Sequence, residues 1–195
     1  ENCHQLQVAT LSLDDFYLTR QQRAELARDI HSLLKTRGVP GTHNTQLLKQ
    51  TLNQLQQAQP DTKLPRFNKA IDNPFPEASW PTVNKRIDLV ILEGWCWGTL
   101  TQTAEQLVPA VNELEEKEDK NGTWRQYIND RLTDDYLPLY SLMDFWLQLK
   151  APSFDAVYQW RQQHENKLAA SSEIDKTGIM TDVELKRFIQ HFQRL

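Results

Sequence analysis

The chain has 195 residues, 39% hydrophobic and 25% charged, with a formal net charge of -4. That length suffices for one domain with a real core, and the acidic balance argues against a general affinity for nucleic acid or anionic membranes. No apolar run approaches the roughly 20 residues of a membrane span, the start does not read as a signal peptide, and two cysteines, Cys3 and Cys96, are too few for a disulfide scaffold and fit a reducing cytoplasm.

The first element is "VATLSL" (8–13), an apolar run that predicts a buried, parallel strand. From Thr19 the period changes. Ala24, Leu26, Ala27, Ile30, Leu33 and Leu34 recur at helical steps, with Thr19 and Gln22 as a capping box and Arg37 and Gly38 as the closing residues. After the loop "RGVPGTHN" (37–44), Leu47, Leu48, Leu52 and Leu55 predict a second helix with Asn44 at its N-cap. Residues 57–81 are rich in proline and read mostly as loop, with a short basic element, "PRFNKA".

"RIDLVILEGW" (86–95) is the clearest strand, a near-continuous apolar run that predicts burial on both faces. An acidic helical segment (111–122) comes next and reads as a solvated face, then "TWRQYINDRL" (123–132). "DFWLQLKA" (144–151) is a third strand candidate. Pro152 introduces a helix to about Ala170, "SSEIDKTG" is a loop, and residues 180–195 form a last helix with Thr181 and Glu184 as a capping box. Strands separated by helical stretches predict an α/β fold with a parallel sheet in one domain, 1–195.

In such sheets, ligands bind beyond the carboxyl ends of the strands. Asp14, Asp15 and Glu93 fall at the ends of two different strands. Carboxylates there suit Mg²⁺, which usually arrives with phosphates. An apolar strand ending in an acid, as at Glu93, has the form of a Walker-B-type element, although many strands end in an acid for solubility alone. Arg37, Arg66 and Lys69 lie in loops with Gly or Pro, where cations clamp phosphates and carboxylates. His43, in "PGTHN", is placed to contact a small substrate. Loop cations are more often simply solvated, and a lone loop histidine more often starts a helix.

Taken in order, "SLDDFYLT", "TRGVPGTH", "LPRFNKA", "LVILEGW" and "LKAPSFDAVYQWR" resemble the D-glycerate 3-kinases and their relatives. These are P-loop kinases akin to uridine kinase, phosphoribulokinase and bacterial pantothenate kinase. The resemblance implies a three-layer P-loop NTPase-type fold with a mainly parallel sheet flanked by helices. It implies a cytoplasmic, ATP- and Mg²⁺-dependent transfer of the γ-phosphoryl group to a hydroxyl of D-glycerate or a similar metabolite. Its partners would be small molecules, not nucleic acid or membrane.

By the same resemblance, Asp14 acts at the acceptor hydroxyl and helps hold Mg²⁺. Asp15 is its catalytic neighbour, and Tyr17 shapes the acceptor pocket. Glu93 is the Walker-B-like metal ligand. Arg66 and Lys69 face the acceptor or the transferred group, and His43 belongs to the substrate-side loop; Arg37 stays a substrate-binding candidate from its loop position alone. Arg161, in "QWRQQHENKL", falls where such kinases carry a lid over the nucleotide phosphates.

No G-x-x-x-x-G-K-[ST] phosphate loop occurs in the chain, and none of its six glycines substitutes for one. The resemblance therefore implies a chain that begins just after that unit and stops short of a final strand. The expected family residue is Asp where Asn44 and Asn68 stand. Two alternatives remain beside the glycerate reading: another acceptor, such as pantothenate or a nucleoside, or a non-catalytic kinase-derived binding protein.

Overall fold

The computed structural model describes residues 6–170 and 180–195. Cys3 and the predicted loop "SSEIDKTG" lie outside them. Strand β1 (Val8–Ser12) pairs in parallel with β6 (Leu89–Glu93), in a register running from Val8 opposite Leu89 to Ser12 opposite Glu93. A parallel pair needs a long crossover. Here it carries helices α1 (Arg20–Asp29) and α2 (Thr45–Gln56) and four two-residue strands: β2 (Thr62–Lys63), β3 (Phe67–Asn68), β4 (Asn73–Pro74) and β5 (Thr82–Val83). These form two antiparallel ladders, β2 with β5 and β3 with β4.

Beyond β6 come α3 (Ala104–Leu107), α4 (Glu113–Glu118), α5 (Thr123–Arg131) and α6 (Leu137–Tyr140), then α7 (Phe154–Ala170) and α8 (Asp182–Gln190). Residues Leu132–Tyr136 join α5 to α6 as a π turn. The result is an α/β fold with helices packed on one face of the parallel pair. The core gathers Leu11, Leu13, Phe16, Leu34, Leu48, Trp124, Ile128, Tyr136 and Leu139. No described helix is long and apolar enough to cross a membrane.

Four sequence expectations change. The strand pair is not buried on both faces: Ala9 and Leu11 point into the core, whereas Val8, Leu89 (43% exposed) and Ile91 (47%) lie on the open side. Successive side chains alternate across a strand, and helices and loops cover only one face of this pair. The third strand candidate is an irregular, exposed segment, with Phe145 at 92%. It makes no ladder among the described residues, and without one its apolar alternation cannot define a strand.

The first helix ends at Asp29 rather than near Arg37, and Leu33 and Leu34 belong to a separate 3₁₀ turn, Ser32–Lys35. His31 causes the break, because its side chain accepts the Leu33 amide and so competes with the helix for it. The acidic segment is not wholly solvated either. Glu115 is fully buried and Asp119 nearly so. Glu115 pairs with Arg194, which also donates to the carbonyls of Gln106 and Pro109, while Asp119 pairs with Arg125.

The predicted caps form as expected. Thr19 with Gln22 and Thr181 with Glu184 are capping boxes, and Asn44 accepts the Leu47 amide.

Candidate active site

Where β1 ends, Leu13–Phe16 forms a 3₁₀ turn that begins with Ser12 accepting the Asp14 amide. Leu13 and Phe16 are buried and pin the turn to the core. Asp14 and Asp15 between them are therefore held half-buried at the carboxyl end of the parallel pair. Glu93 ends β6 directly opposite Ser12.

The 37–44 loop is stitched to this turn. Leu18 donates to the carbonyl of Thr42 (2.9 Å), Asn44 donates to that of Phe16 (2.6 Å), and Tyr17 bridges His43. The Thr42 hydroxyl closes the loop on itself, accepting from the Gly38 amide and donating to Val39. Gly41 has φ +91°, and a Cβ there would lie 2.7 Å from the Tyr127 ring, so only glycine fits where this loop meets α5.

The loop at 66–69 supplies the cations. Lys69 donates to Oδ2 of Asp14 at 2.7 Å, and Arg66 donates to Oδ2 of Asp15 at 3.3 Å. The Phe67 amide donates to Oδ1 of Asp15 at 3.1 Å. Arg66 uses Nη1 for both of its bonds, to Asp15 and to the carbonyl of Pro65. Its Nε and Nη2 have no partner among the described residues. Tyr17 donates to Oδ1 of Asp14 at 2.6 Å, and its ring stacks on His43 and meets the edge of Phe67.

Burial pushes the Asp14 carboxyl upward, but the Lys69 and Tyr17 hydrogen bonds and the Lys69 charge together hold it below the ordinary value. Burial wins at Asp15 and raises it, despite the Phe67 amide and Arg66. Burial, reinforced by the Asp14 charge, raises Tyr17, which stays a donor. His43 is driven down to about 3 by burial and is a neutral imidazole. Burial raises the nearby Cys96 thiol to about 12, so it is not a nucleophile.

The structure thus brings together Asp14, Asp15, Tyr17, His43, Arg66 and Lys69. His43 is not at the surface: it is 5% exposed and sits behind Tyr17. Arg37 lies over the Phe67 ring but is committed to Asp72 at 2.5 Å. Asp72 also holds the buried Arg23. Arg161 pairs with Glu165 and lies over Phe188, so these contacts tie it to the α7–α8 pair. Asn44 caps α2, and Asn68 accepts the Ala70 amide in a local turn.

Sequence reasoning missed Tyr136, Phe67, Asp72 and Cys96 at or behind this cluster. A single aromatic or thiol in an apolar stretch looks like any core residue. Asp72 precedes β4, and its partners, Arg23 and Arg37, are 49 and 35 residues away, so no local pattern marks it.

A divalent cation can be tested against this donor set. The carboxylates of Asp14 and Glu93 are hard oxygen donors on neighbouring strand ends, and Glu93 makes no hydrogen bond or ion pair among the described residues. No group of three or more His, Cys, Asp or Glu converges there among them. Mg²⁺ takes one or two carboxylates and completes its shell with water and phosphate, so the Asp14 and Glu93 carboxylates are the donor type it would ask for.

No protein-family model matches the chain. Individual proteins do. Uncharacterized kinase mug58 of Schizosaccharomyces pombe is 30% identical over 193 residues, 95% of this chain and 67% of that protein. The chloroplastic D-glycerate 3-kinase of Arabidopsis thaliana is 29% identical over 94% of this chain and 39% of its own length. The probable ATP-dependent kinase TDA10 of Saccharomyces cerevisiae is 28% identical over 93% of this chain and 62% of its own. The last two relatives are thus much longer than the region they share with this chain.

Among solved structures, D-glycerate 3-kinase from Cryptococcus neoformans superposes with a TM-score of 0.77 at 29% identity, over 98% of this chain and 69% of that one. The YGR205w protein, at 23% identity and a TM-score of 0.63 over 97% of this chain and 66% of its own, shares the fold.

Proposed function

We propose that this chain, which belongs to the glycerate kinase-like family of P-loop kinases, carries the acceptor side of a site that transfers the γ-phosphoryl group of ATP to a hydroxyl of D-glycerate. The observation that supports this reading best is the two-carboxylate, two-cation cluster. Asp14 and Asp15 are each held by one cation of the same loop, at the carboxyl end of the parallel strands. The names of the relatives support ATP as the phosphoryl donor and a small hydroxylated acid as the acceptor.

Phosphoryl transfer asks the protein for positioning and charge rather than covalent chemistry. In this reading Asp14 takes the proton of the acceptor hydroxyl as the new O–P bond forms and the bond to the ADP oxygen breaks. Tyr17 fixes one oxygen of Asp14 and leaves the other to Lys69 and the acceptor. The spare donors of Arg66, with Lys69, suit the acceptor's carboxylate. Asp14 and Glu93 would hold Mg²⁺, which when bound neutralises charge on the phosphoryl oxygens. The triphosphate cradle is not among these 195 residues, which carry no G-x-x-x-x-G-K-[ST] sequence.

The test is ADP release by the full-length protein with D-glycerate, L-glycerate, pantothenate or uridine. D-glycerate should support the fastest turnover. Faster release with pantothenate or uridine would overturn the acceptor assignment, and no release with any acceptor would overturn the kinase reading.

A further inference from the structure

Tyr136 touches neither carboxylate, yet it is wholly buried behind the site. It ends the π turn Leu132–Tyr136, where the helix takes in one extra residue and so shifts the phase of the side chains in α6. Such turns recur at functional sites. Its hydroxyl meets two groups of the 37–44 loop, the amide of Gly41 at 3.3 Å and Nδ1 of His43 at 2.6 Å.

Hydrogen-bond inventory fixes the protons. The Gly41 amide can only donate, so the Tyr136 oxygen accepts from it. With the tyrosine proton given to Nδ1, the neutral imidazole carries its own proton on Nε2. Nε2 of His43 is buried without a hydrogen-bond partner in either tautomer, so the tyrosine proton decides: the opposite tautomer would strand it as well. Each such buried orphan costs about 1–3 kcal/mol. His43 so locked presents its face to Tyr17, with ring centroids 4.7 Å apart and planes 25° apart, and Tyr17 in turn holds Oδ1 of Asp14.

We propose that Tyr136 is a positioning residue for Asp14, acting through one tautomer and one orientation of His43 and through the ring of Tyr17. The proposal rests on the kinase reading for its effect on turnover, but not for its effect on the rings. The three side chains form a rigid ladder from the helix to the carboxylate. Removing one hydroxyl at its foot lets the His43 ring turn, and the aim of the Tyr17 hydroxyl goes with it.

The test is Tyr136→Phe in the full chain, read by the imidazole ¹⁵N signals of His43 and the carboxyl ¹³C signal of Asp14. In the wild type, Nδ1 should be unprotonated and Nε2 protonated. In the variant both sets of signals should shift. In the full-length enzyme, kcat should also fall by about 10- to 100-fold, with the KM for ATP unchanged. A wild-type Nδ1–H tautomer, or an Asp14 signal that stays in place in the variant, overturns the proposal. If Tyr136→Phe does not fold, His43→Gln removes the middle ring, and the same unmoved Asp14 signal would overturn it. Absence of turnover in the wild type would instead sink the kinase reading and leave the resonance test to decide the ladder.

Discussion

Tyr17 donates a 2.6 Å hydrogen bond to Oδ1 of Asp14, three residues before it, while Lys69 takes Oδ2 of the same carboxylate from 55 residues away. The carboxylate thus has one local and one distant partner, and its orientation is set from both sides. Replacing Asp14 with Asn keeps the size and loses the base. Asp14→Asn is expected to lower kcat by about 10² or more. The ion pair it breaks is partly exposed on both sides, so the cost in stability should stay near ~1 kcal/mol or less. Steady-state kinetics beside a thermal melt measure both.

Arg66 separates acceptor charge from acceptor shape. Its Nη1 serves Asp15 and Pro65, and its remaining donors suit an anion. Arg66→Gln is expected to raise the KM for D-glycerate by about tenfold or more, the worth of one charge-assisted contact. Glycerol, which has the hydroxyls without the carboxylate, should lose far less. Equal losses for the two acceptors would remove Arg66 from carboxylate recognition.

Glu93 ends β6 opposite Ser12 and is the acid without an ion pair among the described residues at this end of the sheet. Glu93→Gln keeps the length and removes the charge. The Mg²⁺ concentration for half-maximal activity should rise several-fold. Identical metal titrations for mutant and wild type would contradict the metal role.

His43 makes the fold sensitive to acid. Burial drives its value down to about 3, while the unfolded chain titrates near about 6.5. Between these values the unfolded state binds the extra proton, so stability is full above about pH 6.5 and falls as pH drops toward 3. His191, also lowered by burial, adds a part of the same sign. His43→Gln should flatten the fall of Tm between pH 6.5 and 4 without abolishing it. A slope equal to the wild type's would place His43 in a hydrated site.

Far from the carboxylates, Arg194 closes a buried pair with Glu115, whose other contact is the Val111 amide. Arg194→Ala leaves a fully buried carboxylate without its cation. The expected loss is about 3–5 kcal/mol of stability, seen as a lower midpoint in denaturant. The double variant Arg194→Leu with Glu115→Leu should recover much of it.

The legible features of the chain rest on local rules. The three caps, the two strand ends and the positions of Asp14, Asp15 and Glu93 depend on neighbours a few residues away, and those neighbours are visible. The grouping of Arg66 and Lys69 with the acids was reached through resemblance, since nothing at 66–69 itself points to residues 14 and 15. Tyr136 was invisible because its importance arises from a π turn, a backbone irregularity that side-chain periodicity does not record. Phe145, Leu147 and Leu149 misled for the converse reason. Alternating apolar residues mark a strand only where another strand accepts their backbone bonds. Glu115 misled because its partner, Arg194, is 79 residues away.

The most direct measurement is ADP release on adding D-glycerate to the full-length protein, run beside Asp14→Asn at the same ATP and Mg²⁺. The expected result is glycerate-dependent release in the wild type that drops by about 10² or more in the variant, with unchanged binding of ATP. Equal release by the two proteins would contradict the assignment of Asp14 as the group that meets the acceptor hydroxyl.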